Sequence, residues 1–303
     1  MSRVRGPHIN DYLQEHPVRV ALVASFFSVP SDANAAQAAG VYERFAERYG
    51  DKASFFSDAE TDRVRRLDAR SIAYPRRRWA KAKDGLLWGV STTLDQEVPG
   101  EWNFVAKLRP PTANTLNYLW FTLDHAAIGH DVFLSLFLET ARELRCRHGY
   151  GGLGIVAAPH PLASQESEES AIAITARFHG FDVLGAHRVS ADATDGIKCV
   201  NWLTLVDAPL LAKLGGREAL RSSLSSAIVF HDIPNGVVIQ AGERPVAGDA
   251  HGPDELAAYR EVARALKPIF AKGPFGRFRA MEDFQRYTTE WRERFFPGAK
   301  WPP

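Results

Sequence analysis

The sequence has little cysteine, no long apolar run and almost no net charge, and each absence excludes a class of protein. Its two cysteines, Cys146 and Cys199, lie far apart. One pair cannot build a disulfide framework, and zinc knuckles need closely spaced cysteines, so we expect two reduced thiols. The 37 basic and 36 acidic side chains give a net charge of +1. This balance lacks the strong positive charge that is typical of nucleic-acid-binding domains.

No segment of the sequence has the pattern of a secretion signal or a membrane span. Residues 1–7 are charged, but no apolar stretch follows them, as it would in a signal peptide. The longest apolar run, residues 20–29, contains two serines and is far shorter than the roughly 20 residues of a transmembrane helix. We therefore expect a cytoplasmic protein with no membrane association.

The spacing of apolar residues predicts an α+β fold. Runs rich in β-branched and aromatic residues predict strands at 18–29, 86–94, 102–108, 117–123, 152–158 and 199–206, and a hairpin of 227–232 and 236–241. Apolar spacings of three and four predict helices at 33–50, 131–147, 208–214, 217–224, 254–270 and 284–296, and another from Ser164. Because hairpins are frequent and β-α-β alternation is absent, we expect antiparallel sheets with helices packed on one face. Residues 51–83 are predicted to be irregular.

The chain is predicted to hold one main domain. It consists of an N-terminal extension over 1–17, a domain over 18–296 and a C-terminal tail over 297–303. Two related halves, 18–160 and 161–296, are an alternative division, although no residue-level repeat supports it.

Two histidines and two aspartates between residues 124 and 131 form the strongest candidate for a metal site. The histidines, His125 and His130, are five residues apart, which does not match the i, i+4 spacing of a helical zinc motif. Asp131 can instead cap the helix that follows it. A metal-dependent enzyme that uses this region therefore stays an alternative, and we predict no metal ligand.

The motifs of common enzyme classes are also missing. No serine stands in a Gly-x-Ser-x-Gly elbow, the usual start of a hydrolase triad. The glycines of residues 149–154 follow a predicted helix and lead into a strand, whereas a phosphate loop opens onto a helix N-terminus. Neighbours on a strand point to opposite faces, so His231 and Asp232 cannot act together. We predict no catalytic residue and no cofactor.

Two charged segments are candidate contact surfaces. The basic stretch Arg76 to Lys83, with Trp79 inside it, can pair with phosphates and stack on bases, so a nucleic-acid-binding protein is a second alternative. Three carboxylates, Glu166, Glu168 and Glu169, lie in the first turns of the helix from Ser164. They can dock on a basic partner, or simply stabilise the positive end of the helix dipole.

Several segments of the second half resemble a known family. Residues 201–205 (NWLTL) and 211–216 (LAKLGG) are similar to the signature of TsiV-like immunity proteins, as are 236–242 (GVVIQAG) with Pro245 and Gly248, 259–263 (YREVA), 266–268 (LKP) and 289–295 (TEWRERF). The resemblance spans roughly residues 18–296. Members of this family are encoded beside type VI secretion effectors, and the best-known ones neutralise VRR-Nuc nuclease effectors by covering the active site.

The resemblance implies an immunity protein that binds a cognate effector, and not an enzyme. For a nuclease target, carboxylates would complement a basic DNA-binding cleft, so Glu166, Glu168 and Glu169 are the predicted partner contacts. The motif residues themselves, such as Trp202 and Leu205, are expected in the core and define the fold. The sequence leaves the oligomeric state and the identity of the effector open.

Overall fold

One antiparallel sheet of ten strands runs through the protein. The computed structural model describes residues 18–59, 61, 63–93, 99–157, 161–183, 185–275 and 282–302, without the side chains of 161–166. The strand order is β3-β2-β4-β5-β6-β1-β7-β8-β10-β9, with every neighbouring pair antiparallel. The strands are β1 Val18–Ser28, β2 Phe55–Asp58, β3 Arg63–Arg66, β4 Leu86–Ser91, β5 Asn103–Leu108, β6 Asn117–Asp124, β7 His148–Ala157, β8 Leu203–Asp207, β9 Ile228–Ile233 and β10 Gly236–Ala241.

Ten α-helices connect these strands within the described residues. They are α1 Ala33–Tyr49, α2 Ala69–Ile72, α3 Tyr74–Arg78, α4 His130–Glu143, α5 Pro161–Arg177, α6 Ala186–Asp192, α7 Ala208–Ala212, α8 Arg217–Ser222, α9 Ala257–Leu266 and α10 Phe284–Arg292. Short 3-10 helices occupy Trp79–Lys81 and Lys267–Ile269. The predicted α+β class with an antiparallel sheet is confirmed.

Helices α1 and α4 cover one face of the sheet, which we call the covered face. Phe104 of β5 and Phe121 of β6 point to it and are at most 1% exposed. Phe45 of α1 packs on Phe104 with ring centroids 5.2 Å apart, and Phe137 of α4 packs on Phe26 of β1 at 4.7 Å. Because each helix carries its apolar residues on one stripe, docking removes that stripe from water, which stabilises the fold by about 1.5–3 kcal/mol for each large side chain.

The glycines of residues 149–154 lie in β7, a central strand that pairs with β1 and β8. They allow neighbouring groups to come close to its backbone. A Cβ atom on Gly151 would lie 2.7 Å from the ring of Phe137 and 3.1 Å from a methyl carbon of Leu203. Glycine at this position is therefore a packing requirement of helix α4 against the sheet.

The helix predicted over 131–147 is wrong at its C-terminal end. It ends at Glu143, and Leu144 has an extended backbone with φ −82° and ψ 132°. Cys146 therefore lies between helix and strand, and Gly149 belongs to β7 instead of capping the helix. Pairing of this segment with β1 and β8 outweighs the helical spacing of its apolar residues, because a central strand satisfies its backbone groups on both sides.

The prediction of irregular structure over 51–83 is also wrong. This segment forms β2, β3, α2 and α3, elements of four or five residues that are too short to show a clear periodicity. The start of α2 has a local cause, since the carboxylate of Asp68 accepts a hydrogen bond from the backbone N–H of Ser71 at 2.6 Å. Tyr74 of α3 then packs on Phe56 of β2 with ring centroids 5.2 Å apart.

Several predicted boundaries move by three or four residues, and two of these shifts have a local cause. The strand predicted from Cys199 begins at Leu203, because residues 199–202 turn towards the sheet and the side chain of Asn201 accepts a hydrogen bond from the backbone of Trp202 at 2.8 Å. The helix predicted from Ser164 begins at Pro161, since proline is well suited to a first helical turn.

Two buried arginines tie α10 and the residues after it to the rest of the protein. The guanidinium of Arg292 donates to the backbone oxygen of Lys198 at 2.7 Å, and that of Arg294 donates to the backbone oxygen of His179 at 2.6 Å. Burial lowers the pKa of both groups. The segment 289–295, one of the family-like motifs, is thus held to the rest of the protein by hydrogen bonds from its buried arginines.

The two cysteines are free and buried, and burial raises the pKa of both thiols.

The sheet crosses the suggested division near residue 160, since β7 pairs with β8. Trp301, in the segment assigned as a tail, is buried and donates to the backbone oxygen of Thr175 at 2.9 Å. The division into halves stays a prediction.

The close approach at Gly151 gives a stability prediction. Gly151→Ala is expected to lower the free energy of unfolding by about 1–3 kcal/mol, because the added methyl group must displace the buried ring of Phe137. Gly252→Ala is the control, since its Cβ would meet Asp249 at an ordinary 3.4 Å on the surface. Urea denaturation of both variants measures the difference; equal stabilities would contradict this packing role.

Candidate protein-interaction surface

The predicted acidic contact patch lies on helix α5. Glu169 is exposed and Glu168 is partly buried, while the side chain of Glu166 lies outside the described residues. The opposite side of the helix packs on the sheet, where Ile174 joins a cluster with Val20 of β1. Val20 and Phe26 lie an even number of residues apart on β1, so α5 sits on the covered face. The helix therefore presents Glu169 to solvent on that side of the molecule.

The two histidines of the alternative metal site, His125 and His130, contact different parts of the protein. The Nδ1 atom of His125 lies 3.0 Å from the backbone oxygen of Val20, and the ring of His130 lies 6.2 Å from that of Trp202. Within the described ranges, the structure brings together no group of three or more His, Cys, Asp or Glu side chains that could hold a metal ion. His231 pairs with Gln240 across the β9–β10 hairpin at 2.7 Å.

The basic stretch Arg76 to Lys83 is helical as far as Lys81, and some of its side chains make hydrogen bonds within the protein. Arg76 makes two hydrogen bonds to the carboxylate of Glu43, at 2.6 and 2.9 Å. Arg77 donates to the backbone oxygen of Arg70, and the ring of Trp79 packs against the core. Stacking of Trp79 on a nucleotide base would therefore compete with its packing in the fold.

One feature that the sequence did not predict is a sheet face whose apolar side chains stay partly exposed among the described residues. We call it the open face, formed by the outward side chains of β3 to β6: Val64, Arg66, Leu87, Val105, Lys107, Tyr118 and Trp120. Their register places Leu87 beside Lys107, Lys107 beside Tyr118, and Val105 beside Trp120. Val64 is 46% exposed, and Leu87, Val105, Tyr118 and Trp120 are each partly exposed.

The open face and the covered face are formed by alternate residues of the same strands, because successive side chains of a strand point to opposite faces. The helices that contact β4 and β5, namely α3 and α1, lie on the covered face. Helix α6 lies on the other side, where it contacts β6, and the backbone N–H of Leu116 donates to the backbone oxygen of Ser190 at 2.9 Å. Solvated faces of antiparallel sheets are normally polar, so apolar and aromatic side chains here indicate a surface that binds something.

A cavity of about 300 Å³ lies where the open face meets α6. Its walls are mainly apolar, with Val23, Trp120, Ile155 and Ala186 among them, and His187 and Asp182 add polar groups. A site of this kind can receive one protruding side chain of a partner protein, the usual anchor of an interface.

A buried ion pair holds one wall of this cavity in place. The ammonium group of Lys198 contacts the carboxylate of Asp182, with side-chain exposures of 1% and 6%. The backbone around Asp182 pairs with β7, donating to Leu153 and accepting from Ile155 at 2.9 Å each. Lys198 also lies 4.4 Å from the ring centre of Tyr150. The wall is therefore pre-organised, which lowers the entropic cost of binding.

Burial and a neighbouring charge change the pKa of two side chains on the open face. Partial burial, together with the nearby Arg109, lowers the pKa of Lys107. Burial raises the pKa of Tyr118. Both polar ends are partly buried among the side chains of the open face, and partial desolvation disfavours their charged forms.

An α+β scaffold with a partly exposed apolar sheet face is suited to contact with another protein. The sequence matches the family model described as TsiV, type VI immunity for VRR-NUC, over residues 37–295, and the chain belongs to this family. The match confirms the family predicted from the sequence motifs. It is a family of immunity proteins against VRR-NUC nuclease effectors, which implies an inhibitor and not an enzyme.

A solved structure shows the same fold. The type VI secretion system protein PA0821 of Pseudomonas aeruginosa is similar at 23% sequence identity and a TM-score of 0.79, over 93% of this chain and 85% of that chain. No curated protein matches the sequence. In the part of the chain that the structure describes, no helix is long and apolar enough to span a membrane.

The core histidine His148 gives a pH prediction. Burial lowers its pKa from 6.5 to about 3, so the folded state excludes a proton that the unfolded chain binds. The contribution of the neutral imidazole to the free energy of unfolding is complete above pH 6.5 and is lost as the pH falls towards 3. Between pH 7 and 5 the free energy of unfolding decreases by about 2 kcal/mol for this reason. Urea denaturation should show a smaller pH dependence in His148→Gln than in the wild type; an unchanged slope would contradict the assignment.

Proposed function

We propose that this protein binds a VRR-NUC nuclease effector and inhibits it by covering the active site. The observation that carries the proposal is the family match over residues 37–295. Inhibition by covering requires a stable scaffold and a complementary surface; the ten-stranded sheet is a suitable scaffold, and its open face is a candidate for the surface. No chemical step is needed from the inhibitor.

The size of the molecule suits this mechanism. A specific interface of standard size removes about 800 Å² from each partner, a small part of the 14304 Å² surface of this chain. An area of that size can close a cleft that must admit DNA. Substrate and inhibitor would then exclude each other, so inhibition is expected to be stoichiometric and competitive with DNA.

The experiment uses the cognate VRR-NUC nuclease effector as the target. Cleavage of duplex DNA is measured while the chain is titrated into a fixed amount of effector, with an unrelated nuclease as the control. Loss of cleavage at an equimolar ratio, delayed by preloading the effector with DNA, is expected. Inhibition at a small fraction of one equivalent would indicate enzymatic modification of the effector. A complex that still binds DNA normally would exclude covering of the active site.

The acidic residues of α5 are proposed to steer this association. Glu168 and Glu169 present negative charge towards a basic DNA-binding cleft, and charge attraction of this kind acts mainly on the association rate. Glu166 belongs to the same proposal by sequence position.

Charge reversal tests the steering role. Glu168→Lys/Glu169→Lys is expected to slow association with the effector by about three- to tenfold at low salt, with a smaller effect at high salt because ions screen the attraction. Glu255→Lys, another exposed carboxylate, serves as the matched control. Stopped-flow or surface-immobilised binding measures the rates. Equal rates for the α5 variant and the control would remove α5 from the proposal.

A further inference from the structure

A second cavity, of about 590 Å³, lies between helix α10 and the chain that follows α9. We call it the α10 cavity. Three cations are among the described residues that line it, namely Lys267, Lys272 and Arg292, with Glu293 as the one carboxylate. The described walls therefore carry an excess of positive charge. None of these residues belongs to the open face.

Arg292 is the buried cation of the α10 cavity, with 8% of the residue exposed. Its Nε and Nη2 atoms donate to the backbone oxygens of Lys198 and Ala271 at 2.7 and 2.6 Å. In the part of the chain that the structure describes, no carboxylate forms an ion pair with its guanidinium. Burial lowers the pKa of Arg292, although Glu293 and Asp192 act in the opposite direction. A buried charge of this kind is stabilised by an anion that binds beside it.

The two lysines stand at the exposed rim of the α10 cavity beside two aromatic rings. Neither Lys267 nor Lys272 forms an ion pair with a carboxylate of the described residues. The Nζ atom of Lys267 lies 4.5 Å from the ring centre of Phe296, and the ring centroids of Phe296 and Phe270 are 5.6 Å apart. Both rings line the cavity and are partly exposed. The site thus combines positive charge with aromatic surface.

We propose that the α10 cavity binds a small organic phosphate, a function that goes beyond inhibition of the effector. The phosphate group brings negative charge and three acceptor oxygens to Arg292 and the two lysines. Its organic part, an aromatic or heterocyclic ring, packs against Phe270 and Phe296. The volume of about 590 Å³ is larger than a bare phosphate needs and lies in the usual range of small-ligand sites, roughly 300–1,000 Å³.

A nucleic-acid strand fits the α10 cavity less well. A neighbouring cavity of about 600 Å³ shares Lys267, Glu293 and other residues with it. In that neighbour Arg286 is already paired with Asp283 at 2.9 Å and with Glu290 at 3.2 Å. A strand needs a track of available cations for its successive phosphates, and this wall supplies carboxylates instead.

The test measures binding of phenyl phosphate to the full-length chain by calorimetry at low salt, with inorganic phosphate and phenol as comparison ligands. We expect a Kd of about 0.1–1 mM for phenyl phosphate, because the lysines are exposed and water competes for the anion. Inorganic phosphate lacks the ring and should bind at least about fivefold more weakly. Phenol lacks the charge and should bind more weakly than either phosphate.

Two variants separate the role of the charges from that of the ring. Lys267→Gln/Lys272→Gln should weaken phenyl phosphate binding by about tenfold, because it removes two exposed charges. The matched control, Lys81→Gln/Lys83→Gln, removes two exposed lysines far from the cavity in sequence and should stay within about twofold of the wild type. Phe296→Leu should weaken binding of phenyl phosphate and change that of inorganic phosphate by less than about twofold.

Four results would overturn the inference. They are no binding of phenyl phosphate by the wild-type chain up to about 10 mM, unchanged binding by Lys267→Gln/Lys272→Gln, equal affinity for phenyl and inorganic phosphate, and tighter, Lys272-dependent binding of a single-stranded oligonucleotide. Thermal unfolding confirms that each variant is folded, and Lys272→Gln alone repeats the comparison if the double variant is unstable. The effector takes no part in these measurements, so their outcome is independent of the proposed function.

Discussion

The antiparallel pairing of β1 with β6 on one side and β7 on the other is the constraint on which the structure depends. These two ladders pair residues that are about 90 to 140 positions apart in the sequence, and the other strands extend the sheet from them. Their register also decides which side chains share a face, since a shift of one residue would move every apolar side chain to the opposite side. Both the buried aromatic core and the open face follow from this one register.

The same register explains why the family-like motifs reveal the fold but not the contact. Trp202 and Leu205 are almost completely buried, and the arginines of the last motif donate to backbone oxygens inside the protein. These residues determine how the chain packs. The open face is made from β3 to β6, in the first half of the chain, and contains none of the motif segments. Family membership therefore defines the kind of partner, and the surface that meets it must be found from the structure.

The sequence by itself determined most of the strands and longer helices, the absence of common enzyme motifs and the family, because these depend on local periodicity and on short motifs. It failed where long-range pairing overrode local preference, as in residues 144–149, and where elements of four or five residues have no periodicity, as in 51–83. Only the tertiary structure showed that β4 and β5 bury one face and expose the other. Their residues 86–90 and 104–108 are apolar at nearly every position, a pattern typical of strands covered on both sides. Which side receives a helix depends on where α1 and α3 dock, and that is decided by contacts between residues distant in the chain.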